Sequence, residues 1–74
     1  MDELLELLKD IRDDVDFENE TELIDGKILT SFDIIQIIAM LDDEYDIAIP
    51  ANEIVPKNFN SAEAILALIE RLKG

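Results

Sequence analysis

The sequence contains no cysteine and no histidine among its 74 residues. Disulfides, Cys-rich zinc sites, thiol nucleophiles and any catalytic base that uses imidazole are therefore excluded. Long hydrophobic runs are also missing, since the longest one, Ala64 to Ile69, is far shorter than a membrane span. We expect a protein that is not an enzyme and that does not insert into a membrane.

The first residues show no targeting pattern. Met1-Asp2-Glu3 lacks the basic start of a secretory signal, and Asp2 stands where N-myristoylation requires glycine. Together with the lack of cysteine, this predicts a cytoplasmic protein.

Basic residues are few, since six lysines and arginines stand against 19 aspartates and glutamates, which gives a net charge of -13. Such a charge repels DNA, RNA and anionic lipids, so no nucleic acid partner is expected. It favours basic surfaces on other proteins. A chain of this length forms one domain, here residues 1–74, and a hydrophobic fraction of 49% is enough for a folded monomer.

The N-terminal part predicts an amphipathic helix over Met1 to Val15, followed by a long loop. Acidic residues crowd the end of this helix, where they oppose its dipole, so its last turn should fray. In residues 16–30, Asp25-Gly26 is a turn signal that permits a hairpin between Leu23-Ile24 and Ile28-Leu29. Such short flanks need a third strand, and none is evident, so we favour an ordered loop. The residues expected to anchor the helix and the loop to the core are Leu4, Leu8, Ile11, Val15, Phe17, Leu23, Ile28 and Leu29.

The C-terminal half predicts three further helices. The first spans Ser31 to Tyr45, with Thr30 as N-cap and Asp33 completing a capping box. A short helical turn follows within residues 51–60, anchored by Phe59. Asn60-Ser61 then caps a final helix, whose end Lys73-Gly74 suits a helix C-terminus. The fold class expected is all-α: a small bundle of four helices, three long and one short.

One face of the second helix departs from the usual pattern. The helical period places Ile34, Ile37, Ile38, Leu41 and Tyr45 in the core. The opposite side, which we call the outer face, carries large apolar residues among carboxylates. Two interpretations are open: the long loop covers this face, or it is a docking surface with an apolar centre and an acidic rim. The outer face consists of Phe32, Ile35, Gln36, Ala39, Asp42 and Asp43.

Ser31 stands in the first turn of the same helix, beside the outer face. A serine here is commonly no more than a helix-start residue. The free amides and the positive dipole end of a helix N-terminus also tolerate a phosphate diester, so a modifying enzyme could use this hydroxyl.

These segments resemble the acyl carrier proteins. The resemblance rests on Thr30-Ser31-Phe32-Asp33, the apolar helix to Leu41, the acidic end Asp42-Asp43-Glu44-Tyr45-Asp46, and Ile47-Ala48-Ile49-Pro50. Chain length, charge and the loop with Asp25-Gly26 extend it over most of the sequence. Residues 56–61 are similar to those of D-alanyl and other stand-alone carriers linked to acid-activating ligases.

The resemblance implies a four-helix carrier fold and a cofactor. Ser31 would hold 4′-phosphopantetheine, transferred from coenzyme A by a phosphopantetheinyl transferase, and the thiol of this arm would carry acyl or aminoacyl groups. Activating ligases, acyltransferases and synthases with basic docking patches would bind the outer face. The family usually has aspartate directly before the modified serine, where it helps the transferase and its metal. Here that residue is Thr30, which bears on the efficiency of modification.

Three alternatives or extensions remain open from the sequence. A domain of this kind could act as an unloaded docking or regulatory subunit. The acidic residues from Asp13 to Glu22 suggest cation binding, but an EF-hand loop counted from Asp14 places Asn19 and Asp25 where glycine and glutamate are needed, so no metal site is expected. A long acyl cargo could enter the core beside Ile38, Leu41, Ile65 or Leu68.

Overall fold

The computed structural model describes residues 2–73, which form four α-helices and contain no strand. The helices are α1 (Asp2–Ile11), α2 (Ser31–Tyr45), α3 (Pro56–Phe59) and α4 (Ala62–Lys73), with a 3₁₀ turn at Ala51–Glu53. The all-α prediction is therefore confirmed, and the hairpin considered for residues 23–29 is wrong. The expected helix start at Met1 and the helix-ending Gly74 lie outside the described residues.

Helix α1 is shorter than predicted. It ends at Ile11, and the amide of Arg12 still donates a hydrogen bond to the Leu8 carbonyl (3.0 Å). The prediction of a helix to Val15 is wrong because Asp13 and Asp14 would add negative charge to the negative end of the helix dipole. Val15 nevertheless packs in the core, where it is 7% exposed. The apolar spacing therefore predicts correctly that Val15 is buried, but it does not predict where the helix ends.

The core lies where α2 packs against both α1 and α4, and α3 packs against α4. Helix α2 has the predicted bounds, and it buries Ile37 and Leu41 completely. Phe59 of α3 is 1% exposed and is the aromatic anchor that the sequence predicts. The largest fully buried side chains are Phe17, Phe59, Leu4, Leu8, Leu23, Ile37, Leu41, Ile65, Leu68 and Ile69. No described helix is long and apolar enough to cross a membrane.

The long loop between α1 and α2 is fixed from both inside and outside. Inside, Phe17 and Leu23 are fully buried and Leu29 is nearly so, as predicted. Outside, the Asn60 side chain accepts hydrogen bonds from the amides of Ile24 (3.0 Å) and Asp25 (3.1 Å), and its amide nitrogen donates to Asp25 Oδ2 (3.0 Å). The loop is thus ordered, and the residue that holds it, Asn60, lies 35 positions after Asp25 in the sequence.

The predicted joint cap of α4 by Asn60 and Ser61 needs a correction. Ser61 alone supplies the capping side chain, since its Oγ accepts a hydrogen bond from the amide of Ala64 (3.1 Å). The Asn60 side chain is used by the loop instead. Asparagine suits either task because its short amide can both accept and donate.

Replacing Asn60 with alanine should lower the free energy of unfolding by about 1–2 kcal/mol, because two loop amides would lose their acceptor. Urea unfolding followed by circular dichroism measures the change. Asn52→Ala, at an exposed position in the 3₁₀ turn, is the matched control and should leave the stability almost unchanged. Equal effects of the two substitutions would contradict the anchoring role of Asn60.

Candidate functional site

Ser31 is the first residue of α2, and it is exposed to solvent. Thr30 before it is the N-cap, with extended backbone angles (φ -92°, ψ 170°). Thr30 Oγ1 accepts a hydrogen bond from the Asp33 amide (3.2 Å), and Asp33 Oδ2 accepts one from the Thr30 amide (3.0 Å). The predicted capping box is confirmed. Ser31 and Phe32 are the residues that it encloses.

The Asp33 carboxylate is the buried polar centre of this turn, with the residue only 7% exposed. Besides the Thr30 amide, Oδ2 accepts a hydrogen bond from Arg12 Nη1 at 2.6 Å. The bond from the Thr30 amide, and after it the bond from the Arg12 guanidinium, lower the pKa of Asp33 below its ordinary value. Asp33 therefore stays ionised at neutral pH, and its charge is compensated locally.

Arg12 joins three parts of the chain at this point. Its Nε and Nη2 donate to the two carboxylate oxygens of Asp14 (2.8 and 2.9 Å), while Nη1 reaches Asp33 and the carbonyl of Ile28 (3.4 Å). Sequence reasoning missed Arg12. The sequence feature that singles Arg12 out is that it is the one basic residue between Asp10 and Asp25.

Two backbone amides remain available beside the Ser31 hydroxyl. The amides of Asp33 and Ile34 bond to Thr30, to Oγ1 and to the carbonyl oxygen respectively. Within the described part of the chain, the amides of Ser31 and Phe32 have no such acceptor. These N–H groups and the positive end of the α2 dipole give this turn a partial positive charge suited to an anion.

The outer face of α2 is open to solvent. Phe32 is 67% exposed and Ile35 is 64% exposed, the two highest values among the large hydrophobic side chains described. Gln36, Ala39 and Asp43 are exposed beside them. The interpretation that the long loop covers this face is wrong, because the apolar side chains of the loop point into the core and leave none for the outer face.

Asp42 lies at the edge of the outer face and also has a structural contact. It is partly buried, and its Oδ1 accepts a hydrogen bond from the Ile49 amide (3.3 Å), while the Asp46 amide donates to its carbonyl. Asp42 therefore helps to turn the chain after α2. Of the two carboxylates predicted for the rim, Asp43 is the exposed one.

A small apolar cavity of about 100 Å³ lies between α2 and the segment that leads into α3. One of its lining residues, Ile34, is three positions after Ser31. The predicted entry beside Ile38, Leu41, Ile65 or Leu68 is not at this cavity, and Leu41, Ile65 and Leu68 are completely buried in the core. The cavity is lined by Ile24, Ile34, Ile54, Val55, Pro56 and Phe59.

The acidic loop shows internal pairing instead of a convergent cluster. Asp14 pairs with Arg12, and the Asn19 side chain donates to Asp16 Oδ2 (3.0 Å). Among residues 2–73, no three carboxylates come together as ligands of one metal ion.

Comparison of the chain with known protein families, curated proteins and solved structures finds no significant match.

The lowered pKa of Asp33 makes part of the stability dependent on pH. Because the folded-state pKa lies below the unfolded one, the contribution of Asp33 is present above the unfolded value and is lost as pH falls below about 4. Asp33→Asn should lower the free energy of unfolding at pH 7. The gap in unfolding free energy between this variant and wild type should shrink as the pH falls toward 2. Urea unfolding at a series of pH values measures this, with the exposed Asp10→Asn as control. A difference in unfolding free energy between wild type and Asp33→Asn that stays the same at every pH would contradict this role of Asp33.

Proposed function

We propose that this chain is a carrier of the acyl carrier protein type, which holds acyl or aminoacyl groups as thioesters on 4′-phosphopantetheine attached to Ser31. The observation that carries the proposal is one juxtaposition. An exposed serine starts a capped helix, and the next side chains on that helix, Phe32 and Ile35, are large, apolar and exposed. A modification site and a docking surface on adjacent residues are what a carrier needs.

The attachment reaction needs only the hydroxyl of this chain. Ser31 Oγ attacks the phosphorus that bears the pantetheine arm of coenzyme A, and the anhydride P–O bond breaks. Adenosine 3′,5′-bisphosphate leaves, and the proton of the hydroxyl passes to a base of the transferase. The free amides of Ser31 and Phe32 favour the resulting phosphate diester at the start of α2.

The loaded carrier catalyses nothing itself. The arm supplies a thiol that forms the thioester, and the chain has no cysteine or histidine that could compete for the acyl group. Tethering raises the effective concentration of the cargo at each partner enzyme. The lack of cysteine also fits a protein that works in the cytoplasm.

The helical arrangement supports the carrier-type bundle. Helices α1, α2 and α4 pack around one core, α3 is short, and a loop of the kind that the resemblance implies leads into the serine. The fold supports the same conclusion as the sequence without deciding it, since many small helical proteins share this architecture.

The outer face supports a protein partner with a basic docking patch. Phe32 and Ile35 form its apolar centre, and Asp43 stands at its rim. A transferase, an activating ligase or an acyltransferase with lysines and arginines around an apolar contact would complement it. Association should be fast at low salt because the whole chain carries a charge of -13.

Thr30 is the position at which the sequence differs from the family pattern. Its hydroxyl caps α2, a task that aspartate could also perform. Asp33 cannot serve in place of the missing carboxylate, because it is buried and occupied by Arg12 and the Thr30 amide. A metal ion of the transferase would therefore receive no carboxylate from the capping box of this chain.

Incubation with coenzyme A and a broad-specificity phosphopantetheinyl transferase should add one phosphopantetheine to the wild-type protein, seen as a mass increase of the intact chain. Ser31→Ala should gain no mass, because the other hydroxyls of the chain lack this setting. Ser61→Ala is the matched control, since Ser61 caps α4, and it should be modified like wild type. A wild-type protein that gains no mass would refute the carrier function and leave an unloaded docking subunit.

Substituting the apolar centre of the outer face should weaken docking without changing the chemistry. Phe32→Ala and Ile35→Ala should each raise KM for the carrier in the transferase reaction about five- to tenfold, with kcat little changed. Leu7→Ala is the control, because Leu7 is a half-exposed residue of α1 outside the core. An unchanged KM for both outer-face variants would exclude this surface as the docking site.

A further inference from the structure

The ionic contact of Arg12 with Asp33 lies directly beneath the turn that presents Ser31. Asp33 Oδ2 accepts hydrogen bonds from Arg12 Nη1 (2.6 Å) and from the Thr30 amide (3.0 Å). The same carboxylate therefore connects an arginine after α1 to the backbone that immediately precedes Ser31. Nothing in the capping box itself requires an arginine, since threonine and aspartate complete it without one.

We propose that Arg12 is a positioning residue for the reaction at Ser31, acting through the Asp33 carboxylate, an inference that rests on the proposed function. The residues on both sides of the Ser31–Phe32 pair are fixed by reciprocal hydrogen bonds between Thr30 and Asp33. Arg12 fixes the Asp33 carboxylate, which takes part in these bonds. Arg12 also contacts the carbonyl of Ile28, in the segment that leads into α2.

The geometry of the guanidinium supports this role. Its Nε and Nη2 donate to both oxygens of Asp14, and this bidentate contact orients the guanidinium so that Nη1 points at Asp33. A lysine would supply one point charge and could not hold both carboxylates in this way. The position of the Asp33 carboxylate is thus specified by the planar shape of the arginine as well as by its charge.

Charge gives Arg12 a second effect on the same reaction. Asp33 is two residues from Ser31, and modification brings an anionic phosphate to that hydroxyl. An uncompensated carboxylate in the same helical turn would repel the phosphate. Arg12 reduces that repulsion because it forms a charge-assisted hydrogen bond with Asp33.

Transferase kinetics with wild type, Arg12→Gln, Arg12→Lys and Arg71→Gln test the proposal. Arg71 is the matched control because it is the other ion-paired arginine, bound to Glu53 (3.1 Å). All variants are assayed at a temperature where circular dichroism shows them folded. Arg12→Gln should lower kcat about tenfold, equivalent to about 1.4 kcal/mol, and leave KM unchanged, because the outer face is intact. Arg12→Lys should recover part of the loss.

A double-mutant cycle separates positioning from a general loss of stability. If Arg12 acts through Asp33, then Arg12→Gln should have almost no further effect on kcat in the Asp33→Asn background. Equal losses in kcat for Arg12→Gln and Arg71→Gln, or additive losses in the cycle, would overturn the proposal. Should Arg12→Gln fail to fold, Arg12→Lys and Arg71→Lys are compared instead. Equal losses in kcat for these two variants would likewise overturn the proposal.

Amide hydrogen exchange supplies a readout that does not depend on the transferase. Arg12→Gln should speed exchange at the Thr30 and Asp33 amides about tenfold relative to Leu41 in the core. Unchanged exchange at both amides would overturn the positioning role even if wild type is modified. Faster exchange in a protein whose wild type gains no phosphopantetheine would instead refute the carrier function and retain Arg12 as the residue that holds the turn.

Discussion

The structure around Ser31 depends on one buried carboxylate. Asp33 is an unfavourable residue to bury, since an ionised side chain loses its hydration when it is enclosed. It is stable there because the Thr30 amide and the Arg12 guanidinium both donate to Oδ2. This arrangement fixes where α2 begins and connects that point to the end of α1.

The exposed apolar side chains are a consequence of how the long loop is fastened. A loop of this length could have folded over the outer face and buried Phe32 and Ile35. Its own apolar residues, Phe17 and Leu23, enter the core instead, and Asn60 holds the outer turn against the start of α4. The loop therefore packs against the core and not on the outer face, and about two thirds of the surface of Phe32 and Ile35 remains exposed to water. Such exposure is hydrophobically unfavourable for an isolated chain and is typical of a surface that binds a partner.

The local features of this fold could be predicted from the sequence, whereas the contacts between distant segments could not. The bounds of α2, its Thr30–Asp33 capping box and the burial of Phe59 follow from helical period and capping chemistry, which act over a few residues. The attachment of Asn60 to the loop spans 35 residues, and polar pairing at that range leaves no periodic pattern. The end of α1 could not be predicted from the apolar spacing, because that spacing continues to Val15 while the acidic residues stop the helix at Ile11. For the candidate site, the position of Ser31 at the start of α2 and the apolar outer face could be predicted. The contact of Arg12 with Asp33 could not, since the two residues lie 21 positions apart.

Helix α2 is electrostatically different at its two ends. Its first turn carries Asp33, which suits the positive end of the dipole, and Arg12 compensates that charge. Its last turn has no basic residue, so Asp43 and Glu44 add negative charge to the negative end. Asp46 then takes a left-handed conformation (φ 52°), which is common at helix ends and which aspartate tolerates, and its amide donates to the Asp42 carbonyl. Sequences depart from local stability rules chiefly at functional sites. Under the proposed function, the acidic end of α2 is explained by the basic partner surface that it must attract, and the neutralised N-terminal turn by the phosphate that it must accept.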